Sequence, residues 1–363
     1  MNNIVNYLAF YSGENRKQIF NLFYNFSKYW RDNDMVKMAS LLTDNCILDI
    51  SMTGHFQGKK FLSQALSWPG QNMDIRILNF SNFVCRSHNG IAQQSAYTQH
   101  KYAVKDNDEM TVHPFIFGGQ FCNTLEKVNG TWLFSHIRFD LMYEYGNNSF
   151  VKDNWNLIDY TKFYGHQPMI NPEIESPWRH IPVDDEPQSD EEQVFELEFK
   201  NNFGMDGGDF SLCHEVFSDD IFLDYTSHKN MNKSDPLSID GTYSGRKEAV
   251  NFFKSKQHKE ARLQHTTSMA EIQIEGNTAR AYMIRSEFNR IKNFIYNAET
   301  IFHHPLTAIH VIDAQKENGL WKMKEMRYYP IIHLVSTSPS GLCFDEMLCL
   351  NKHWKNLKKE LHI

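Results

Sequence analysis

Three residues in the second half of the chain have side chains suited to acid–base chemistry: Asp206 in FGMDGGD, Tyr225 in LDYT and His265 in RLQHTTS. An imidazole beside a carboxylate in an apolar pocket is a workable general base, because the carboxylate fixes the tautomer and stabilises the imidazolium that forms. A phenol can donate a hydrogen bond to an oxygen on which negative charge develops. The expected chemistry is proton abstraction next to a carbonyl, followed by loss of water or by isomerisation, without a metal.

Each of these residues also has a purely structural interpretation, which the sequence leaves open. Aspartate is an ordinary turn former beside the two glycines of FGMDGGD. A buried histidine often does no more than satisfy its own hydrogen bonds, and a tyrosine can simply line a pocket or its rim. The chemistry therefore depends on whether the fold brings the three side chains together.

Two other motifs resemble ligand sites but lack the required spacing. GHFQGKK at 54–60 has three residues rather than four between its glycines and no Ser or Thr after its lysines, so a turn before a helix explains it better than phosphate binding. His303, His304 and His310 lie in HHPLTAIH, which has no recognised metal-ligand spacing and no carboxylate nearby in sequence. We predict no metal and no cofactor.

Composition indicates a two-domain protein that does not bind nucleic acid or membranes. The 363 residues exceed a typical domain of about 150 residues, and 41% hydrophobic content is enough for two cores. The net charge of −7 disfavours nucleic acid and anionic membranes as partners. The six cysteines show no CxxC spacing, and no apolar run reaches the roughly 18 residues of a membrane span. We expect a cytoplasmic protein with reduced thiols.

The elements that must position the candidate residues form an internal repeat. DMVKMASLLTDNCILD at 34–49 aligns without a gap with DFSLCHEVFSDDIFLD at 209–224, an offset of 175 residues. GHFQGKK aligns with GTYSGRK at 241–247, an offset of 187, and NGTWLFSHIR aligns with NGLWKMKEMR at an offset of 189. Three blocks in the same order predict two copies of one fold.

Each copy reads as two helices, a strand, a short helix after the glycine motif and a series of strands. Ser12 is a candidate cap for the first long helix, and Ser189 with Glu192 forms a capping-box pattern before the second. Alternating segments such as TARAYMIRSEF are typical of half-buried strands. Helices followed by a meander of strands indicate an α+β fold with a curved antiparallel sheet wrapped on helices.

The repeat also predicts the boundaries of the domains. The two copies are two tandem α+β barrels that pack as a pseudo-dimer, joined by a connector whose large aromatic residues favour a strap packed on the domains over a flexible tether. The tail suits a docked amphipathic helix. The predicted ranges are 1–147 for the first domain, 148–188 for the connector, 189–338 for the second domain and 339–363 for the C-terminal helix.

The ordered set of motifs resembles the SnoaL-like group of the nuclear transport factor 2-like (NTF2-like) superfamily. Its marks are a strand ending in Leu-Asp, the motif G-x-[FY]-x-G-[KR]-K, a short helix and a final strand with W-x5-R, and both copies carry them. The resemblance implies cone-shaped α+β barrels with one deep apolar pocket in each domain. Members of the superfamily include dehydratases, isomerases, cyclases and non-catalytic binders, so the fold does not decide the function.

The scytalone dehydratase, bile-acid dehydratase and polyketide cyclase branch implies roles for single residues of the second copy. The resemblance places the catalytic aspartate at Asp206, a pocket tyrosine at Tyr225 and the pocket histidine at His265. Two positions depart from the branch: Met205 stands where a tyrosine precedes the catalytic aspartate, and a second catalytic histidine falls near Phe288.

The first copy keeps less of the pattern, because the counterparts of Asp206 and His265 are Arg31 and Leu78. We expect the first domain to be catalytically silent. The favoured function is a lyase or isomerase of SnoaL type, similar to a dehydratase or a ketosteroid isomerase, acting through the second domain on a small apolar cyclic carbonyl compound. A non-catalytic small-ligand-binding protein and a pseudo-dimeric scaffold for a partner protein remain open alternatives. The sequence leaves the substrate and any homo-oligomer undecided.

Overall fold

The computed structural model describes residues 11–68, 73–105, 112–159, 169–226, 241–291 and 306–333. They form two α+β bodies, each built on a six-stranded sheet. The predicted fold class is therefore confirmed. Within these ranges, none of the helices has the length and apolar character needed to span a membrane. The predicted C-terminal helix at 339–363, His303 and His304 lie outside the described residues.

The first body begins with two helices and continues with six strands in the order β2-β1-β6-β5-β4-β3 across the sheet. A short 3-10 turn at Lys59–Phe61 follows β2. The elements are α1 Glu14–Arg31, α2 Met35–Ala39, β1 Leu42–Ile50, β2 Gly54–Gln57, α3 Leu62–Leu66, β3 Ile75–His88, β4 Ile91–Lys105, β5 Val112–Val128 and β6 Thr131–Gly146.

The second body repeats this plan after a connector that carries two short helices, and its strand order is β8-β7-β12-β11-β10-β9. The elements from the connector onward are α4 Pro172–Glu175, α5 Pro177–His180, α6 Asp190–Gly207, α7 Phe210–Val216, β7 Phe217–Asp224, β8 Thr242–Ser244, α8 Arg246–Glu260, β9 Ala261–Glu275, β10 Thr278–Ile291, β11 Leu306–Glu317 and β12 Leu320–His333.

The sheets refine the prediction of antiparallel barrels in two respects. In each body the strand that follows the helices enters beside the last strand and runs parallel to it: β1 pairs with β6, and β7 pairs with β12. The other ladders are antiparallel. The strand orders end at β2 and β3 in one sheet and at β8 and β9 in the other, so both sheets are curved but open.

Sequence-local interactions define the ends of the long helix α6. Ser189 accepts a hydrogen bond from the Glu192 amide, and the Glu192 carboxylate accepts one from the Ser189 amide, which confirms the predicted capping box. The helix stops at Gly208, whose φ of 83° is left-handed. The predicted Ser12 cap is wrong, because Gly13 occupies the N-cap position of α1 and the Ser12 hydroxyl instead donates to Glu192.

The connector packs against both bodies through its aromatic residues. Trp155 is buried in the first core, where its ring lies 5.3 Å from that of Phe117. Trp178 is buried in the second core, 5.6 Å from Phe203. The described parts of the connector therefore contribute to both hydrophobic cores.

The two bodies also contact each other directly. Val84 and Tyr97 of the first sheet belong to the hydrophobic cluster of the second body. The Gln264 side chain in β9 donates a hydrogen bond of 2.8 Å to the Gly119 carbonyl in β5. Because these groups are buried, the interface excludes water at the edge strand β9 of the second sheet.

Candidate active site

The structure brings Asp206 and His265 into direct contact inside the second body. The Asp206 Oδ1 atom lies 2.5 Å from His265 Nδ1, and Asp206 Oδ2 accepts a hydrogen bond of 2.8 Å from the His265 amide. Neither side chain is exposed to solvent. An acceptor at Nδ1 favours the tautomer that carries its proton there, so the lone pair of the neutral ring is on Nε2. We call this pair the dyad.

Local structure explains the position of each dyad residue. Asp206 occupies the last turn of α6, and the left-handed Gly208 ends the helix directly after it. His265 lies opposite Glu287 in the β9–β10 ladder, and its backbone amide points away from β10 toward Asp206. The carboxylate therefore holds both the ring and the main chain of His265.

A second carboxylate–histidine contact lies in the same interior. Glu198 Oε1 lies 3.1 Å from His310 Nδ1, and both side chains are fully buried. The Arg285 guanidinium contacts His310 Nε2 at 3.2 Å. Because arginine only donates hydrogen bonds, Nε2 accepts from Arg285, and the proton of the neutral ring is on Nδ1, the nitrogen beside Glu198. We call these three residues the buried triad.

The charges of the buried triad stabilise one another. Burial opposes ionisation of Glu198, but His310 and Arg285 outweigh it and lower the pKa of that carboxyl. Burial lowers the pKa of His310, with Glu198 opposing and Arg285 and His265 adding to the shift. The triad therefore places a buried carboxylate, Glu198, and a buried guanidinium, Arg285, on the two sides of the His310 ring.

Helix α6 supplies a polar stripe that faces the sheet. Glu198, Asn201, Asn202 and Asp206 are all buried. The Asn202 amide donates a hydrogen bond of 2.9 Å to the Thr267 hydroxyl, two residues after His265. The carboxylates of the dyad and of the triad thus come from one face of one helix.

Tyr225, predicted to share a site with Asp206 and His265, is linked through Tyr328 to His310 of the triad. Its buried ring stacks on Tyr328 at 5.5 Å and contacts Phe252 at 5.6 Å. Tyr328 in turn meets the His310 ring edge-on at 5.2 Å. Met205 is buried, and the Phe288 side chain lies outside the described residues.

The equivalent interior of the first body is aromatic. The repeat offsets place Phe23 at the position of Glu198 and Phe121 at that of His310, and these two rings pack edge-on at 5.5 Å. Arg31, at the Asp206 position, pairs at the surface with Asp32. Leu78, at the His265 position, is partly buried against the core. An aromatic pair therefore occupies the positions that Glu198 and His310 hold in the second body.

Sequence reasoning missed the buried triad. Glu198 and Arg285 belong to no sequence motif, and the spacing of HHPLTAIH draws attention to His310 only as a possible metal ligand. A usable signal was present, because the repeat alignment sets Glu198 and His310 against Phe23 and Phe121. A polar residue aligned with a core aromatic marks a buried polar position.

The glycine motifs have equivalent ion pairs in the two bodies. Lys59 lies 2.6 Å from Asp44, and Arg246 lies 2.6 Å from Asp219, its counterpart by the offsets. Gly58 and Gly245, which precede these cations, both have positive φ. The motif serves the same turn in both copies.

Comparison with known proteins identifies the second body. Residues 188–327 match the family model described as SnoaL-like domain. The second body is a SnoaL-like domain. The resemblance seen in the sequence is thereby confirmed for the second copy, and the first copy shares the strand order of the SnoaL-like domain. No curated protein matches the chain significantly.

Several solved structures are similar to one third or more of the chain. A protein assigned as a scytalone dehydratase from Novosphingobium aromaticivorans is 17% identical, with 36% of this chain and 86% of that chain covered and a TM-score of 0.31. A hexachlorocyclohexane dehydrochlorinase (LinA) Type2 is 15% identical, with 37% and 88% covered and a TM-score of 0.31. An NTF2-like protein from Cytophaga hutchinsonii is 12% identical, with 39% and 99% covered and a TM-score of 0.30. Sequence identities this low do not assign the function of any of these proteins to this chain.

Proposed function

We propose that the SnoaL-like domain is the active domain of a lyase or isomerase in which His265 is the general base and Asp206 orients it. The observation that carries the proposal is the two-point contact of the Asp206 carboxylate with the ring and amide of His265, fully removed from solvent. Burial strengthens this electrostatic interaction relative to water. The substrate class is a small, largely apolar cyclic compound with an acidic C–H next to a carbonyl.

The reaction begins when His265 Nε2 accepts the proton from carbon, and the C–H electron pair moves to form an enolate. Asp206 stabilises the imidazolium that results. In an elimination, the C–O bond to the leaving hydroxyl then breaks, the new double bond forms, and the proton on His265 leaves with the hydroxyl as water. In an isomerisation, His265 returns the proton to another carbon instead.

Charge on the substrate oxygen requires a donor or cation in the same interior. Arg285 is a buried cation of the second body, and it contacts His310, which in turn contacts Glu198. Tyr225 stacks on Tyr328 and is the candidate hydrogen-bond donor. The proposal assigns binding and charge stabilisation to these residues and proton transfer to the dyad.

The alternative of a non-catalytic ligand-binding protein is favoured by one observation. In the buried triad, both ring nitrogens of His310 already face protein groups. Buried polar clusters whose groups pair with one another also occur in proteins where they only bind a ligand or make the core rigid. Turnover therefore has to be distinguished from binding.

The experiment is a comparison of the full chain with His265→Asn on a panel of cyclic ketones and hydroxy-ketones. Asparagine keeps a donor toward Asp206 at the place of Nδ1 but removes the base. We expect turnover to fall by about 100-fold or more, as for loss of a general base, while ligand-induced thermal shifts persist. His100→Asn changes a buried histidine of the first body and is the matched control.

Equal turnover by the full chain and His265→Asn would refute the proposed mechanism. Thermal shifts without turnover by the full chain on any member of the panel would support the ligand-binding alternative. If the full chain shows neither thermal shifts nor turnover with this panel, the result favours the alternative of a scaffold for a partner protein.

A further inference from the structure

His265 of the dyad lies on β9, an edge strand whose outer backbone groups form hydrogen bonds with the first body. β9 is the last strand of the second sheet, so within the described part of the chain one row of its backbone groups has no neighbouring strand. His265 presents both its amide and its carbonyl to that side. The amide bonds to Asp206, and the carbonyl accepts a hydrogen bond of 2.8 Å from Asn82 Nδ2 of the first body.

The Asn82 side chain acts as a short substitute for a neighbouring strand. Besides donating to the His265 carbonyl, it accepts a hydrogen bond of 2.7 Å from the Thr267 amide through Oδ1. One planar amide thus bridges two residues on either side of Thr266. All of these groups are buried, so loss of the Asn82 side chain would remove a hydrogen-bond partner from a buried donor and from a buried acceptor.

The backbone of Asn82 is shaped for this contact. Its φ is 49°, in the left-handed region that asparagine tolerates better than most residues. It lies at the break in the β3–β4 ladder between Ser81 and Val84. The irregularity turns the amide out of the first sheet toward β9, where Gln264 also bonds to the Gly119 carbonyl of the first body.

The contact is one-sided. By the repeat offset of 187, the counterpart of Asn82 in the second body is Met269, which has no amide side chain, and the counterpart of His265 is Leu78. A symmetric pseudo-dimer interface would offer the same bonds in both directions. Here the first body supports the strand of the dyad, and a methionine at position 269 has no amide group with which to return the two bonds.

We propose that the first body is a positioning partner for the dyad and that Asn82 is the positioning residue, fixing His265 against Asp206 across the interface. The catalytic consequence rests on the proposed function. The structural consequence does not, because it concerns only the order and titration of the His265 ring.

The test uses the full chain with Asn82→Gly, which removes the amide while keeping the left-handed backbone accessible. The matched control is Asn129→Gly, because Asn129 has a φ of 50° in an exposed turn of the same body. The readouts are hydrogen exchange at the Thr267 amide and the pH titration of the His265 ring by NMR, assigned with His265→Asn. We expect faster exchange and a displaced titration midpoint in Asn82→Gly alone.

Identical His265 titration and Thr267 exchange in the two glycine variants would overturn the proposal. If Asn82→Gly does not fold, the unaltered chain decides: a Thr267 amide that exchanges far faster than the amides paired between β9 and β10 contradicts a persistent bond to Asn82. Where a substrate has been found, Asn82→Gly should lower kcat by about 10- to 100-fold, with a smaller change in KM. Failure of the proposed function would remove this last readout and leave the first two intact.

Discussion

The imidazole of His310 is held neutral between a buried carboxylate and a buried guanidinium. Burial, with help from Arg285, lowers its pKa below the usual value of about 6.5, while Glu198 opposes the shift. The unfolded chain therefore binds a proton at higher pH than the folded chain does. The contribution of His310 to stability is present above about pH 6.5 and is lost as the pH falls toward its folded pKa.

We predict that His310→Gln weakens the loss of stability between pH 7 and pH 5. The slope of the unfolding free energy against pH should decrease by up to about 1.4 kcal/mol per pH unit, the value for one proton. Urea unfolding at several pH values measures it. Burial also lowers the pKa of His100 in the first body, so His100→Gln should reduce the slope with the same sign. An unchanged slope in His310→Gln would contradict the neutral ring.

At the scale of elements, helix α6 and its end determine where the carboxylates lie. On the polar face of α6, Glu198 and Asn201 stand where α1 has Phe23 and Phe26, and Gly208 ends the helix just after Asp206. A change at Gly208 therefore affects the dyad through the backbone without touching either of its side chains.

We predict that Gly208→Ala destabilises the protein by about 1–2 kcal/mol, because a Cβ is unfavourable at positive φ. Gly208→Asn should cost less, since asparagine tolerates that region. Gly90→Ala in the first body, at a φ of 78°, matches the backbone cost without adjoining the dyad. Urea unfolding gives the stabilities, and the His265 NMR signal should move in Gly208→Ala only. A His265 signal that also moves in Gly90→Ala would refute this local effect.

Much of the fold follows from the sequence, and less of the site does. The repeat, the α+β class and the Ser189 capping box depend on local spacing, which the sequence shows directly. The family resemblance predicts Asp206 and His265 as site residues, but only the folded structure shows that their side chains are in contact. The triad could not be found from spacing, because Glu198, Arg285 and His310 meet only when one helix and two strands pack together.

For the whole molecule, a buried ionic network joins the start of α1 to the start of α6. The Arg16 guanidinium lies 3.1 Å from Asp184 of the connector and 3.0 Å from Glu192 of the second body. Glu192 is also a member of the α6 capping box. The network therefore couples the first turns of the two long helices.

We predict that Arg16→Ala destabilises the protein by about 3–5 kcal/mol, because it leaves buried carboxylates without their counter-charge. Calorimetry should then resolve two unfolding transitions, one for each body, in place of a single coupled one. Arg31→Ala is the control, since its exposed pair with Asp32 should contribute less than about 1 kcal/mol. A single transition with an unchanged midpoint in Arg16→Ala would show that the network does not couple the bodies.

The bond from Asn82 to the strand of His265 also has a consequence for assembly. Two independent subunits separate on dilution, and any support that one gives the other is then lost. Here both partners belong to one chain, so their effective concentration is fixed by the connector and does not change with the amount of protein. The second body therefore keeps its supporting neighbour at any abundance in the cell, always in a ratio of one to one.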